Sequence, residues 1–255
     1  MEIDVLIFGG QSNMEGQTEG MPTPNEVVAN AWEYRLLSDT LKPVCHPVGE
    51  DIADLLGGAC YGFGSLAPDC CRAYTEASGR RVVMIHAAQG ATTVAQWQED
   101  TPRYAKAVEK MQKGIARAAE MGTVKNIYYV WLQGESDAIE HTTEEEYVAR
   151  LTAYKNALKR DVGITRFGII RVGYFCGTVR WLTDRTRDEG KADDETIMRA
   201  QERVAADDAD FVMLTRKTAT MSLDARFINP TEDGHFNNAA LSMLGEAAGH
   251  ALAAL

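Results

Sequence analysis

The chain has 255 residues, 45% of them hydrophobic, and a formal net charge of −11 with a pI near 5.0. That length and apolar content suit one large domain with a substantial core, expected to span residues 1–255. The acidic balance excludes a general polyanion binder, because nucleic-acid affinity rests on basic patches. No apolar run approaches the ~20 residues of a membrane-spanning helix, so neither nucleic acid nor membrane is an expected partner.

The first predicted element is a strand, Ile3–Phe8, followed directly by "GGQSNMEG" (residues 9–16). The glycines permit a sharp turn at the strand's end. Two readings of Ser12 follow. It caps the next helix, or it stands at the carboxyl edge of an open α/β sheet, where ligands bind. Residues 17–68 are irregular and rich in Gly and Pro, and read as loops plus a helix that help wall the site. Arg81–Ala87 is a second strand. It leads into "HAAQGATTVAQW" (86–97), where Gly90 can offer a bare backbone N–H. Ala105, Val108, Met111, Ile115 and Ala118 share one helical face.

Asn126–Leu132 is a third strand, leaving through "WLQGESDA" (131–138). Gln133, Glu135 and Asp137 alternate there, and on extended chain they would share a face. A capping box from Thr143 to Glu146 opens a helix carrying Tyr147, Leu151, Tyr154 and Leu158. Phe167–Phe175 reads as a fourth strand. "KADDET" near 191 reads as a solvated turn rather than a metal site. Ile197, Ala200 and Val204 mark another helix, and Phe211–Thr215 a fifth strand. His235 then stands in "TEDGHFN", with Glu232 and Asp233 just before it. Nearby carboxylates orient an imidazole and stabilise its protonated form. Leu241, Leu244, Ala248 and Leu252 form the last helical face. Strand–helix alternation with near-continuous apolar strands implies an α/β, three-layer α/β/α sandwich around a parallel sheet.

The cysteines are Cys45, Cys60, Cys70, Cys71 and Cys176. Their odd number, and the absence of any CxxC pair, point to free thiols in a reducing compartment. The first strand begins by residue 3 and leaves no room for a leader, so a cytoplasmic location is expected.

In chain order, Ser12, Gly90, Gln133 and His235 resemble the SGNH hydrolase superfamily, more closely its carbohydrate esterase family 6 and sialate O-acetylesterase-like branch. "GQSNMEG", "QGESD" and "DGHFN" carry the likeness, with Gly90-Ala91-Thr92 as a weaker block, over residues 3 to about 250. Ala91 stands where a second Gly is usual, and Glu232 where an Asp is usual. The resemblance implies a flavodoxin-like, five-stranded parallel sheet of order 2-1-3-4-5. It implies a serine esterase that removes O-acetyl groups from carbohydrates and needs no metal or organic cofactor. Ser12 would be the nucleophile and His235 the general base. The Ser12 and Gly90 N–H groups and the Gln133 amide would form the oxyanion hole.

For the acid that orients His235, both Glu135 and Glu232 are candidates, with Asp233 behind them. Glu135 is preferred because its place beside Gln133 otherwise lacks a purpose; Asp137 would anchor the loop. Trp97 would either stack on a sugar face or pack in the core. A sialic acid substrate would call for a nearby Arg, and a neutral xylo-oligosaccharide for aromatic platforms. A lipase- or thioesterase-like SGNH enzyme, and a non-catalytic carbohydrate-binding protein with a decayed site, are the alternative readings.

Overall fold

The structure, a computed structural model, describes residues 1–50, 52–57 and 62–255. Seven strands form one sheet of order β3-β2-β4-β1-β5-β6-β7. They are β1 (Glu2–Gly10), β2 (Ala31–Arg35), β3 (Thr40–Pro43), β4 (Arg81–Ala88), β5 (Thr123–Leu132), β6 (Arg166–Ile170) and β7 (Phe211–Thr215). All neighbours are parallel except the β2–β3 hairpin, which pairs Trp32 with Pro43. The five strands read from apolar runs are β4-β1-β5-β6-β7, in the implied order. The sheet is wider than expected because residues 31–43 add two strands where loops and a helix were read. Their signal is faint for a physical reason: β3 is a short, solvated edge ending in a proline, where pairing does not require a buried face.

The helices follow the periodic stretches. α1 (Ser12–Glu15), α2 (Ile52–Leu55) and α3 (Ala67–Ser78) precede β4. α4 (Pro102–Met121), α5 (Glu135–Ile139) and α6 (Glu144–Asp161) flank β5, and the Thr143–Glu146 capping box is formed at the start of α6. α7 (Arg187–Asp207), α8 (Thr218–Met221) and α9 (Asn238–Ala253) complete the order. α3 packs against α9, and α6 against α7. No described helix is long and apolar enough to cross a membrane.

Two local expectations are corrected. The fourth strand ends at Ile170, not Phe175, because Phe175, Cys176 and Gly177 turn their N–H groups onto the buried Asp194 carboxylate (2.9–3.0 Å). Asp194 belongs to "KADDET", which is therefore an interior turn of α7 rather than a solvated loop. Burial pushes its carboxyl up to about 6, against those three donors. Cys45, Cys70, Cys71 and Cys176 are free thiols; Cys60 lies outside the described residues.

β1 positions the site. Ile3, Val5, Leu6, Ile7 and Phe8 are fully buried between parallel neighbours β4 and β5. The chain leaves β1 toward β4 on one side and later returns to β5 on the other. The carboxyl end of β1 is therefore the crevice where strand order reverses.

Candidate active site

At that crevice the backbone turns through Gly10, at φ +141°, so tightly against Leu132 that a Cβ would collide with its carbonyl. The Gln11 N–H then donates to the Leu132 carbonyl (3.0 Å), and a single helical turn, α1, starts with Ser12. Ser12 occupies the first helical position, whose N–H has no partner within the helix. Gly16 closes the turn, its N–H donating to the Ser12 carbonyl (2.9 Å).

Ser12 and His235 line one cleft of ≈ 490 Å³ with Gln11, Glu15, Gly90, Ser136, Phe175, Trp181 and Glu232. Glu15 and Glu232 are its carboxylates, and no Lys or Arg lines it among the described residues. His235 is buried, and its Nδ1 has no hydrogen-bond partner among the described residues. Its ring meets Phe175 edge-on, with centroids 6.1 Å apart. Burial lowers the imidazole pKa below its ordinary value, and the Glu232 charge is the largest influence raising it. The ring is thus neutral at neutral pH, the state a general base requires.

The other sequence-derived residues fall in three places. Glu232 shares the cleft with His235, and its carbonyl accepts the His235 N–H (3.2 Å). Asp233 instead accepts the Arg180 N–H (2.7 Å), tying the histidine loop to the loop after β6. Glu135 is buried beneath the turn that carries Ser12. Its Oε1 accepts from Asn13 Nδ2 (2.8 Å), and its Oε2 has no hydrogen-bond partner among the described residues. Burial pushes its carboxyl up, against the Asn13 hydrogen bond.

Gln133 is fully buried and does not line the cleft. Its Nε2 donates to the Thr92 carbonyl (2.8 Å), Asp137 Oδ2 (2.5 Å) and Gln11 Oε1 (3.2 Å). The amide expected at the oxyanion is therefore engaged inside the protein, because β5 carries it beneath the loop. Asp137 accepts from Val94 N–H (2.8 Å) and Thr142 Oγ1 (3.1 Å), an anchoring position, and burial raises it to about 6. The Gly90 N–H donates to Glu15 Oε1 (2.6 Å), so a carboxylate already meets it. Trp97 is a core residue, not a sugar platform. It is fully buried against Trp131 (5.7 Å, edge-to-face), and its indole N–H donates to Thr92 Oγ1 (3.0 Å).

Gln11, Glu15 and Trp181 are among the cleft residues that the sequence reading does not single out. Gln11 Oε1 accepts backbone N–H groups from Gly134 (3.3 Å) and Ser136 (3.2 Å). Backbone N–H can only donate, so the amide oxygen must face them, leaving Nε2 as the group the cleft can use. Glu15, within the nucleophile block itself, also accepts from Gln17 Nε2 (2.7 Å). Trp181, 55% exposed, stacks edge-on with Phe175 (centroids 6.0 Å). An isolated Trp in the polar run "GTVRWLTDRT" is a signal that could have found it.

Ser12 at a strand-end turn and His235 share one cleft on this sheet, and the family and the solved neighbours make the protein a carboxylic ester hydrolase of SGNH type. The chain belongs to the carbohydrate esterase, sialic acid-specific acetylesterase family, whose model matches residues 2–254. It is 24% identical over 187 residues to a probable carbohydrate esterase of Arabidopsis thaliana, covering 68% of this chain and 69% of that one. The solved Arabidopsis thaliana structure superposes with a TM-score of 0.72 at 15% identity, covering 98% and 97% of the two chains. A carbohydrate acetylesterase from Xanthomonas citri gives 0.58 at 16% identity, covering 98% of this chain and 55% of that one. An acetylxylan esterase from Geobacillus stearothermophilus, solved as a catalytic mutant, gives 0.51 at 12% identity over 96% and 91%. The protein is a carbohydrate O-deacetylase.

Proposed function

We propose that the protein removes acetyl groups from neutral carbohydrate hydroxyls, acetylated xylan or its oligosaccharides, rather than from sialic acid. The cleft's charge carries this reading. Its charged walls are Glu15 and Glu232, with no Lys or Arg among the described residues. A sugar carboxylate would enter without a counter-ion, whereas a neutral sugar finds the Phe175–Trp181 pair.

In the proposed mechanism, His235 takes the Ser12 hydroxyl proton as Ser12 Oγ attacks the acetyl carbonyl. The Ser12 N–H and Gln11 Nε2 meet the oxyanion; preorganised donors of this kind supply a large share of such catalysis. Collapse breaks the ester C–O bond, and His235 returns its proton to the departing sugar hydroxyl. Water, deprotonated by His235, then releases acetate and restores Ser12. Glu232 stabilises the protonated imidazole through its charge. Its place in the cleft, and its charge effect on His235, favour it over the Asn13-bound Glu135.

The test compares kcat/KM on an acetylated xylo-oligosaccharide and on an O-acetylated sialic acid. A higher value on the neutral sugar is expected; faster release from sialic acid would sink the reading. Acetyl esters should also outpace butyryl and octanoyl esters, and faster octanoyl cleavage would favour a lipase-like enzyme.

A further inference from the structure

We propose that Asn13 and Glu135 form a positioning pair that holds His235 over the nucleophile turn; this rests on the reading of Ser12 and His235 as nucleophile and base. Asn13 follows Ser12, and Phe236 follows His235. Asn13 Oδ1 accepts the Phe236 N–H (3.0 Å), stitching the histidine loop to α1 across 223 residues of sequence. The opposite side of the same amide, Nδ2, donates to Glu135 Oε1 (2.8 Å). All three residues are buried, with Asn13 2% exposed.

The hydrogen-bond inventory explains why these residue types stand here. Phe236 N–H can only donate, so Asn13 must present its oxygen to it. The nitrogen of Asn13 is then turned toward Glu135, whose Oε1 accepts from it. A carboxylate therefore locks the amide in the orientation that grips the histidine loop. A glutamine at 135 could present either end and would allow the wrong flip. This accounts for a buried glutamate with one oxygen unpaired among the described residues and no hydrogen bond to His235 there.

The experiment is an amide–acid swap. Asn13→Asp keeps an acceptor for Phe236 N–H but sets two carboxylates face to face. It should lower kcat on an acetyl ester on the order of 100-fold with little change in KM, as small misplacements at a site do. Glu135→Gln should cost about 3- to 10-fold. The double variant Asn13→Asp, Glu135→Gln restores a donor–acceptor pair, and its kcat should return to the Glu135→Gln level. A double variant with native-like melting whose losses multiply would overturn the proposal, as would wild-type kcat in a folded Asn13→Asp. If Asn13→Asp alone does not fold, the double against Glu135→Gln decides: equality supports the pair, a further ~100-fold loss overturns it. Amide exchange of Phe236, followed by NMR, is independent of activity. Protection should fall in Glu135→Ala and be kept in the double variant; unchanged protection in Glu135→Ala overturns the pair even if Ser12→Ala shows the esterase reading itself to be wrong.

Discussion

In the floor layer, beneath the residues that line the cleft, Gln133, Asp137 and the oxygen of Gln11 are paired with one another or with backbone; at the rim, His235 Nδ1 is buried without a hydrogen-bond partner among the described residues and Trp181 stands more than half exposed. Both regions are polar, and in the sequence both look like reaction chemistry. The difference is satisfaction. A buried polar group whose hydrogen bonds are complete holds a loop in place, and its removal costs stability. A side chain that lines the cleft and stays exposed, as Trp181 does, is available to a substrate. The floor layer is scaffold, and Ser12, His235 and Trp181 line the cleft where, on the proposed mechanism, the ester is met.

The largest test of that division is the nucleophile. Ser12→Ala should lower kcat on an acetyl ester by at least about 10³-fold with an unchanged thermal melt, since triad members act as a unit. Wild-type turnover in a folded variant would remove Ser12 from the mechanism. Next is the acid on the rim. Glu232→Gln should cost about 10²- to 10⁴-fold in kcat, the scale of miswiring a triad histidine, against no more than ~10-fold for Glu135→Gln. The reverse ranking, measured side by side, would move the acid from the rim to the floor.

The pH profile sharpens the same contrast. Burial sets the folded His235 pKa below its unfolded value. kcat/KM should therefore be flat near neutrality and fall as pH drops through the lowered pKa, where His235 becomes protonated. Because Glu232 raises that pKa, Glu232→Gln should move the inflection further down; an upward move contradicts the assignment. By linkage, the buried neutral ring contributes stability present above the unfolded pKa and lost as pH falls below it. This histidine thus adds to acid destabilisation.

Trp181→Ala is a smaller effect, confined to the rim. KM for an acetylated oligosaccharide should rise about 10-fold, the worth of one aromatic contact, with KM for a small aryl acetate unchanged. An equal rise for both would make Trp181 a structural residue. The smallest expected effect is at Ala91, which holds φ +53° beside Gly90. A Cβ in that conformation is strained, so Ala91→Gly should change stability by less than about 1 kcal/mol, relief offsetting added chain entropy. A loss well beyond that, read from a denaturant curve, would show that the Ala91 methyl packs in a way strain alone does not describe.

The sequence by itself determined what depends on local pattern. Near-continuous apolar runs placed β1, β4, β5 and β7, and helical periodicity with a capping box placed α6. The turn chemistry of "GGQSNMEG" put Ser12 at a strand end. Residue type also marked His235 and its neighbouring acids as chemistry. Tertiary structure alone decided which way the alternating polar residues face. Gln133 and Glu135 share the "QGESD" block, yet packing of β5 under the loop turns one amide onto Thr92 and Asp137, and gives the carboxylate to Asn13. Trp97 and Trp181 are alike as letters; one is enclosed by Trp131 and Tyr154, the other left at the cleft. The β2–β3 hairpin was equally invisible, because an edge pair needs no apolar pattern of its own. Satisfaction and exposure are properties of contacts between segments distant in the chain, and a linear reading carries the residues but not those contacts.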